Sequence, residues 1–341
     1  MTKHNVVFFC VTDFCNAGCK SCSFWETKNP KFPKKKDLPK IVDVIHSKLD
    51  CGFLEITGGE PLTYPFVYDL IHLASKKGMI TQLMTNGSLL NNEVIKKLCS
   101  AGLNMLAISI DHWNDKIMDD YRQIPGLSAK IGGMAKELKK TDLIIQAGIG
   151  INTYNINDLE KTARHAISIG FDELYFCWPV KSTGSTYKLG NKNYDVTQIS
   201  DEQISDAIQV VLGLKRTFGH KIAHKYEHLR DMLKYYKKSN QKCTCKGGQN
   251  LFYLDNHLDV YRCMTLPDKL GSIHGKVKTI KNAKCEKCSL QCFREGSLYF
   301  LGVKSAPVCQ LIHGSGEPPV NRPDGMIPSQ INTHSASFDA C

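Results

Sequence analysis

The chain has 341 residues, of which 42% are apolar and 23% are charged, a composition typical of a folded globular protein with a substantial core. Lysine and arginine outnumber aspartate and glutamate by 44 to 33, and no apolar run is long enough to predict a membrane-spanning helix. The first residues contain no signal peptide, so we expect a cytosolic protein whose thiols stay reduced.

Short apolar runs alternate with amphipathic segments over the first half of the chain. The runs that predict strands are VVFFCV, FLEIT, MITQLMT, MLAISI, LIIQAGIGI and ELYFCW. The segments that predict helices are LPKIVDVIHSKL, FVYDLIHLASKKG, NNEVIKKLCSAG, AKIGGMAKELKK and INDLEKTARHAISIG. Because each strand precedes one helix, we expect a parallel sheet covered on both faces, in an α/β fold with a partial (β/α)6 TIM-like barrel.

The character of the chain changes after Trp178, where KSTGSTYKLGNKNYD predicts a long polar loop. Helices are predicted around 201–218 and 225–238, and a hairpin at NLFYLDNHLDVYRC. The sequence therefore predicts four parts. These are a barrel over 1–200, a helical connector over 201–242, a small cysteine-rich α+β domain over 243–313 and a disordered tail over 314–341.

Fifteen cysteines in a reducing compartment indicate metal binding rather than disulfides. Cys15, Cys19 and Cys22 follow the first strand with the spacing C-x3-C-x2-C, and seven more lie from Cys243 to Cys309. Three thiolates on one loop suit an iron–sulfur cube with one open iron, or three ligands of a zinc ion. The isolated cysteines of the barrel are interpreted as small core residues: Cys10, Cys51, Cys99 and Cys177.

A second motif accompanies the cysteine loop, since LEITGGEP places Gly58, Gly59, Glu60 and Pro61 at the end of the second predicted strand. With both motifs the sequence resembles the radical S-adenosylmethionine (radical SAM) superfamily, whose members bind a [4Fe–4S] cluster on such a loop. The resemblance implies that the open iron binds the amino and carboxylate groups of S-adenosylmethionine beside the Gly-Gly-Glu-Pro motif. Family members usually carry an aromatic residue before the third cysteine, where this chain has Ser21.

The ends of later strands carry residues that the resemblance implies as further cofactor contacts: Asn86, Ser109, Asp111 and Asn152. It also implies an oxygen-sensitive reaction. S-adenosylmethionine is cleaved reductively to methionine and a 5′-deoxyadenosyl radical, which abstracts hydrogen from an unactivated C–H bond. An external electron donor such as flavodoxin or ferredoxin is implied as a partner. The sequence identifies no catalytic acid or base.

The C-terminal cysteines resemble an auxiliary-cluster module of this superfamily, called SPASM or, in its shortened form, twitch. In that module a hairpin lies between two cysteines and a C-x2-C pair follows. The resemblance implies four ligands of one auxiliary [4Fe–4S] cluster: Cys245, Cys263, Cys285 and Cys288. Together with Cys243, Cys292 and Cys309, the segment has seven cysteines, which could instead serve two clusters, one with four ligands and one with three. Leu258 stands where the module has a hairpin glycine. A fully ligated cluster would transfer electrons, whereas an open iron would bind substrate.

The substrate class stays open between a small molecule, a lipid and a peptide. Because the cluster loop begins at residue 15, no domain that grips a leader peptide is expected before it, which favours a small-molecule or lipid substrate. The basic net charge favours a phosphorylated or carboxylated one. The alternative hypothesis is a zinc-stabilised protein- or nucleic-acid-binding module without catalysis, which would use the basic run from Lys31 to Lys36; nucleic acid is the less favoured partner.

Overall fold

A computed structural model describes residues 5–179, 195–238, 244–280 and 290–301. Six strands form the barrel: β1 (Asn5–Thr12), β2 (Cys51–Gly58), β3 (Ile80–Thr85), β4 (Met105–Ser109), β5 (Ile144–Gly150) and β6 (Glu173–Cys177). Six helices connect them or follow them: α1 (Leu38–Ser47), α2 (Val67–Lys76), α3 (Asn92–Ala101), α4 (Asp115–Arg122), α5 (Leu127–Leu138) and α6 (Leu159–Ile169).

The remaining elements follow the barrel in the chain: α7 (Asp201–Phe218), α8 (Tyr226–Tyr236), β7 (Leu251–Leu254), β8 (Asp259–Tyr261), β9 (Lys269–Ser272) and α9 (Gln291–Leu301). All nine strands belong to one sheet in the order β6-β5-β4-β3-β2-β1-β7-β8-β9. Neighbouring strands from β6 to β7 are parallel, and β7, β8 and β9 pair antiparallel. The predicted α/β partial barrel and the predicted hairpin are therefore confirmed.

Side chains alternate between two faces of the curved sheet, as the period of a strand requires. In β2, Leu54 and Ile56 join the apolar core beneath the helices, whereas Phe53 joins a smaller cluster on the inner face. The register pairs Phe8 of β1 with Glu55 of β2, so Glu55 also belongs to the inner face. This inner face is where a partial barrel offers space for a ligand.

The helix ends follow the local signals in the sequence. The Asn91 side chain accepts a hydrogen bond from the amide of Val94 at the start of α3, and Gly102 ends that helix with φ 87°. Ser200 and Gln203 form a capping box at the start of α7, the helix that was predicted around 201–218. The short helix α4 was not predicted.

The isolated cysteines differ in their surroundings. Cys10 and Cys51 are buried as expected, and Cys177 lines a cavity on the inner face. The prediction for Cys99 is wrong, because its side chain is exposed on α3 while Leu98 takes the buried side of that helix.

Several sequence predictions lie outside the described residues: the polar loop over 181–195 except for Asp195, the tail over 314–341, and Cys243, Cys285, Cys288 and Cys309. Within the described part of the chain, every helix is too short or too polar to cross a membrane.

Candidate functional site

The three cysteines of the C-x3-C-x2-C motif lie on the loop that leaves the carboxyl end of β1. Cys19 is buried, whereas Cys15 and Cys22 are partly exposed, and all three are free thiols. Cys15 and Cys22 pack against the inner apolar cluster, which includes the buried ring of Phe24. The loop therefore places its thiols at the mouth of the barrel, where parallel α/β folds bind ligands.

The cysteine loop is held against the Gly-Gly-Glu-Pro segment by two backbone hydrogen bonds. The amide of Gly59 donates to the Thr12 carbonyl at 2.9 Å, and the amide of Glu60 donates to the Phe14 carbonyl at 2.8 Å. A Cβ atom on Gly59 would lie 1.9 Å from the Phe14 oxygen, and Gly58 has φ 136°. Both glycines are therefore required by the close approach of the two motifs.

Glu60 connects the end of β2 to the end of β3. Its buried carboxylate accepts hydrogen bonds from the Leu62 amide at 3.0 Å, the Thr85 hydroxyl at 2.8 Å and the Asn86 amide at 2.7 Å. Burial raises the pKa of Glu60, and the two amide donors oppose that effect. In this structure the carboxylate fixes the strand ends that surround the cysteine loop, and Pro61 is buried directly after it.

Asn86 reaches the cysteine loop from the end of β3. Its side-chain nitrogen donates to Asn16 Oδ1 at 2.9 Å and lies 3.8 Å from the sulfur of Cys15, within hydrogen-bonding range of sulfur. Its side-chain oxygen accepts from the Ser88 amide at 2.8 Å. Asn86 therefore places an amide donor beside a candidate ligand sulfur.

Asp111 and Arg122 form a buried ion pair on the other side of the loop. The Arg122 guanidinium donates to the Asp111 carboxylate, and its Nη1 atom lies 3.6 Å from the sulfur of Cys19. Burial acts to lower the pKa of Arg122, but the charges of Asp111 and Cys19 outweigh it, so the guanidinium stays protonated. Asp111 was predicted as a site residue, whereas Arg122 was not.

Ser109 and Asn152 lie at the ends of β4 and β5. The Ser109 hydroxyl donates to the Thr85 carbonyl at 3.5 Å, and the Asn152 amide group donates to the Gly150 carbonyl at 2.8 Å. The amide of Gly150 in turn donates to the Asp111 carboxylate at 3.3 Å. The predicted cofactor contacts are therefore brought to one edge of the sheet, around the three cysteines.

The position before the third cysteine is supported from α4. The Ser21 hydroxyl and the Tyr121 hydroxyl lie 2.6 Å apart, and the amide of Lys20 donates to the Tyr121 carbonyl. An aromatic ring therefore lies next to this position, contributed by a helix about a hundred residues later in the chain.

The arrangement matches a known family. The model of the radical SAM superfamily matches residues 9–166, the span that holds the cysteine loop, the Gly-Gly-Glu-Pro segment and the ends of β1 to β5. Residues 9–166 form a radical SAM domain.

Curated relatives of this chain include proteins whose names describe different reactions. It is 31% identical over 162 residues to the AdoMet-dependent heme synthase of Methanosarcina barkeri, covering 47% of this chain and 46% of that one. It is 27% identical over 117 residues to the PqqA peptide cyclase of Ruegeria pomeroyi, covering 34% and 31%. The chain thus spans half or less of the length of these relatives.

Solved radical SAM structures share the fold. The structure of anSMEcpe with bound AdoMet superposes with a TM-score of 0.58 at 17% identity, covering 80% of this chain and 79% of that one. Streptococcus suis SuiB bound to S-adenosylmethionine gives a TM-score of 0.63 at 11% identity, covering 80% and 64%. These similarities establish the TIM-like partial barrel.

The residues of the cysteine loop fit the [4Fe–4S] cluster and S-adenosylmethionine of this fold. The loop offers three free thiols, and nitrogen donors from Asn86, Arg122 and the Ala17 amide face the sulfurs of Cys15 and Cys19. Such donors stabilise thiolate charge around a cluster. Burial raises the pKa of Cys15 to about 11, so metal binding at this site displaces protons.

The predicted auxiliary ligands are described in part. Cys245 and Cys263 are buried, and their sulfurs accept hydrogen bonds from the Gly247 amide at 3.3 Å and the Thr265 amide at 3.5 Å. Cys292 lies at the start of α9 and packs against the same inner cluster as Cys15 and Cys22.

Leu258 stands in the turn between β7 and β8 with φ 67°, in the left-handed region that favours glycine. Its amide donates to the Asp255 carbonyl at 3.0 Å and its side chain is buried. The turn therefore holds a leucine in a backbone conformation that favours glycine, at the position where the resemblance led us to expect one.

Proposed function

We propose that the chain is a radical SAM enzyme that cleaves S-adenosylmethionine and directs the product radical at an unactivated C–H bond of its substrate. The observation that carries this proposal is the anchoring of the three-cysteine loop on Gly59 and Glu60 by two backbone hydrogen bonds. This contact brings three thiols and the Gly-Gly-Glu-Pro segment to one place at the barrel mouth.

The ligands of the cluster would be Cys15, Cys19 and Cys22. When bound and reduced, the cluster and S-adenosylmethionine supply a 5′-deoxyadenosyl radical. The chain's own residues position this chemistry. Asn86 and Arg122 aim nitrogen donors at ligand sulfurs. The edge formed by Ser109, Asp111 and Asn152 would hold the polar parts of S-adenosylmethionine.

Replacement of Cys15, Cys19 and Cys22 by alanine tests this function. We expect reconstituted, dithionite-reduced wild-type protein to release 5′-deoxyadenosine from S-adenosylmethionine, and the triple variant to release none. The variant should also lose about four iron atoms per chain, the content of one [4Fe–4S] cluster. Chromatographic detection of the nucleoside and iron analysis check both results. Wild-type protein that binds zinc in place of iron would contradict the proposal and support the binding-module alternative.

We further propose at least one auxiliary [4Fe–4S] cluster in the cysteine-rich segment, which would take part in electron transfer. Support comes from Cys245 and Cys263, which are buried and accept backbone hydrogen bonds at sulfur. Gly247 lies close to three groups: the sulfur of Cys245, the carbonyl of Arg262 and the ring of Phe293 on α9. Arg262 directly precedes Cys263 in the chain. Residues around the two cysteines and α9 therefore meet at one point.

A Cys245→Ala variant tests the auxiliary cluster. We expect it to lose about four iron atoms per chain and keep the cluster of the N-terminal loop. Cys99→Ala is the matched control, because Cys99 is exposed on α3 and its loss should leave the iron content unchanged. An unchanged iron content in Cys245→Ala would exclude this cysteine as a ligand.

The substrate and the electron donor belong to the proposal as well. A peptide substrate is supported by the relative named PqqA peptide cyclase and by the similar structure of SuiB bound to its precursor peptide. A small molecule is favoured equally by the heme synthase relatives. An external one-electron donor such as flavodoxin or ferredoxin would reduce the clusters.

A further inference from the structure

The inner face of the barrel encloses a cavity of about 230 Å³. Its walls come from β1 to β6, from the start of β7 and from α9, which closes the open side of the sheet. At about 30 Å³ for each water, this is space for about eight waters. The cavity suits a small ligand or one extended side chain.

Glu55 is the acidic residue of β2 that faces this cavity. The sheet register places it between Phe8 of β1 and Gln82 of β3. Among the described residues, no hydrogen bond or salt bridge involves its carboxyl group. A carboxyl group on an otherwise packed inner face is costly to ionise without a hydrogen-bonding or charged partner. The position of Glu55 therefore indicates a ligand that provides this partner group.

A row of polar side chains lies beside Glu55 on the inner face. The Gln82 amide nitrogen donates to Gln146 Oε1 at 2.7 Å, and the Gln146 amide nitrogen donates to the Glu173 carboxylate at 2.7 Å. The Gln82 nitrogen also reaches the Met84 sulfur at 3.8 Å, so both of its N–H groups have partners, and Gln82 Oε1 accepts no hydrogen bond from a described residue. A donor bound beside Glu55 therefore finds a second acceptor in Gln82 Oε1.

The described lining of the cavity contains carboxyl groups but no lysine or arginine, in contrast to the basic composition of the whole chain. The chain has a formal net charge of +11, yet no lysine or arginine is among the described residues that line the cavity. Glu295 of α9 also lines it, but this carboxylate already binds the His224 ring at 2.8 Å and the Lys225 amide at 2.9 Å. Glu55 is therefore the carboxyl group that remains for a ligand.

Aromatic rings make up much of the remaining wall: Phe8, Phe53, Tyr175, Trp178 and Tyr299. Aromatic faces attract organic cations, and the attraction grows when water is excluded. The ring of Tyr299 already has the Lys225 ammonium 3.9 Å from its centroid, which leaves the other rings of the wall for a ligand. A carboxyl group among aromatic rings, with no lysine or arginine among the described lining residues, is the chemistry that selects a cation over an anion or a neutral group.

We propose that this cavity binds the substrate through an organic cation, an ammonium or guanidinium group held by Glu55 and the aromatic walls. This rests on the proposed function, because it assigns the cavity to the substrate of that reaction. The cation belongs either to a small amine or to a basic side chain of a peptide. The proposal differs from the phosphorylated or carboxylated substrate expected from net charge, because the local charge inside the barrel decides recognition.

Calorimetric titration of the reconstituted holoenzyme tests the cation site without turnover. The probes are 2-phenylethylamine, its neutral analogue 2-phenylethanol and the anion 3-phenylpropanoate. We expect the amine to bind about tenfold or more tightly than the other two, in line with a desolvated cation–carboxylate contact. Glu55→Gln should remove this preference, Glu55→Asp should retain part of it, and Glu202→Gln, a change at an exposed carboxylate, should leave it unchanged.

The pH dependence gives a second readout. Burial raises the pKa of Glu55 to about 8, and a cation binds the ionised form. Affinity for the amine should therefore rise between pH 7 and pH 9 in wild type and stay flat in Glu55→Gln. The other titratable groups that line the cavity are Tyr175, Cys177, His224, Cys292, Glu295 and Tyr299. Burial raises the pKa of Cys177 to about 12, so this thiol stays neutral over that range.

The outcomes separate this proposal from the proposed function. Equal affinity for the three probes, or an unchanged preference in Glu55→Gln, overturns the cation site even if 5′-deoxyadenosine forms. Competition between 2-phenylethylamine and S-adenosylmethionine also overturns it, because the cavity would then be the cofactor's. Tighter binding of Nα-acetyl-lysine N-methylamide than of 2-phenylethylamine supports a peptide side chain, and the reverse order supports a small amine.

Discussion

Replacing Gly59 by alanine should disable the cluster site while leaving most of the fold in place. The added Cβ atom would lie 1.9 Å from the Phe14 carbonyl oxygen and 2.9 Å from the Cys15 amide nitrogen, both backbone atoms of the cysteine loop. The loop must therefore move away from the Gly-Gly-Glu-Pro segment. Displacements of about 1 Å in a positioned site cost about a hundredfold in rate, so we expect at least that loss in 5′-deoxyadenosine formation.

The measurement combines iron content, nucleoside formation and thermal unfolding. Gly132→Ala is the matched control, because a Cβ at this position in α5 meets no atom within 4 Å. Alanine in place of glycine inside a helix stabilises by roughly 0.5–1 kcal/mol, so the control should be as stable as wild type or slightly more so. A Gly59→Ala protein with wild-type iron content and rate would show that the contact between the two motifs does not position the site.

The Gly59 contact also shows how much of the site could be predicted from the sequence. The spacing of the cysteines and the Gly-Gly-Glu-Pro motif predicted that both lie at the barrel mouth, because the carboxyl ends of parallel strands share one edge. The family resemblance placed the motif beside S-adenosylmethionine but gave its glycines no contact within the chain. The structure adds that Gly59 makes room for the backbone of the cysteine loop.

Other features depend on contacts between distant parts of the chain and leave no local signal. The helix α4, with the sequence DKIMDDYR, is only eight residues long and strongly polar, so its pattern resembled a solvent-exposed segment. Its last residue, Arg122, is nevertheless directed inward to Asp111 and Cys19. The role of Glu55 was missed because the sequence of an almost entirely apolar strand does not show on which face of the sheet its one acidic residue lies. That face is known only from the pairing with the neighbouring strands.

Cys99 illustrates the opposite error. Its neighbours on α3, Ile95 and Leu98, are buried, and an apolar context around a cysteine usually indicates the core. A helix turns 100° per residue, so Cys99 lies on a different side from Leu98 and is exposed. Apolar neighbours in the sequence therefore do not fix the burial of a single helical residue.

Arg122→Gln should be the most destabilising substitution of a charged residue at the site. Arg122 is the ion-pair partner of Asp111, and the two side chains are 15% and 3% exposed. Removing one partner of a buried ion pair leaves an uncompensated charge and typically costs about 3–5 kcal/mol. Arg164→Gln is the matched control, because its pair with Glu160 is about half exposed and such pairs contribute about 0–1 kcal/mol.

The same substitution separates the two contacts of Arg122. The double variant Arg122→Gln/Asp111→Asn removes the buried charge and should recover much of the unfolding free energy, measured by chemical denaturation. It should not restore the contact with the sulfur of Cys19, which lies 3.6 Å from the guanidinium in the native protein. Because donors to cluster sulfurs raise the reduction potential, both variants should show a cluster potential below that of wild type. If the double variant regains both stability and potential, Arg122 acts only through its ion pair with Asp111; if stability alone returns, the guanidinium positions and tunes the cysteine site directly.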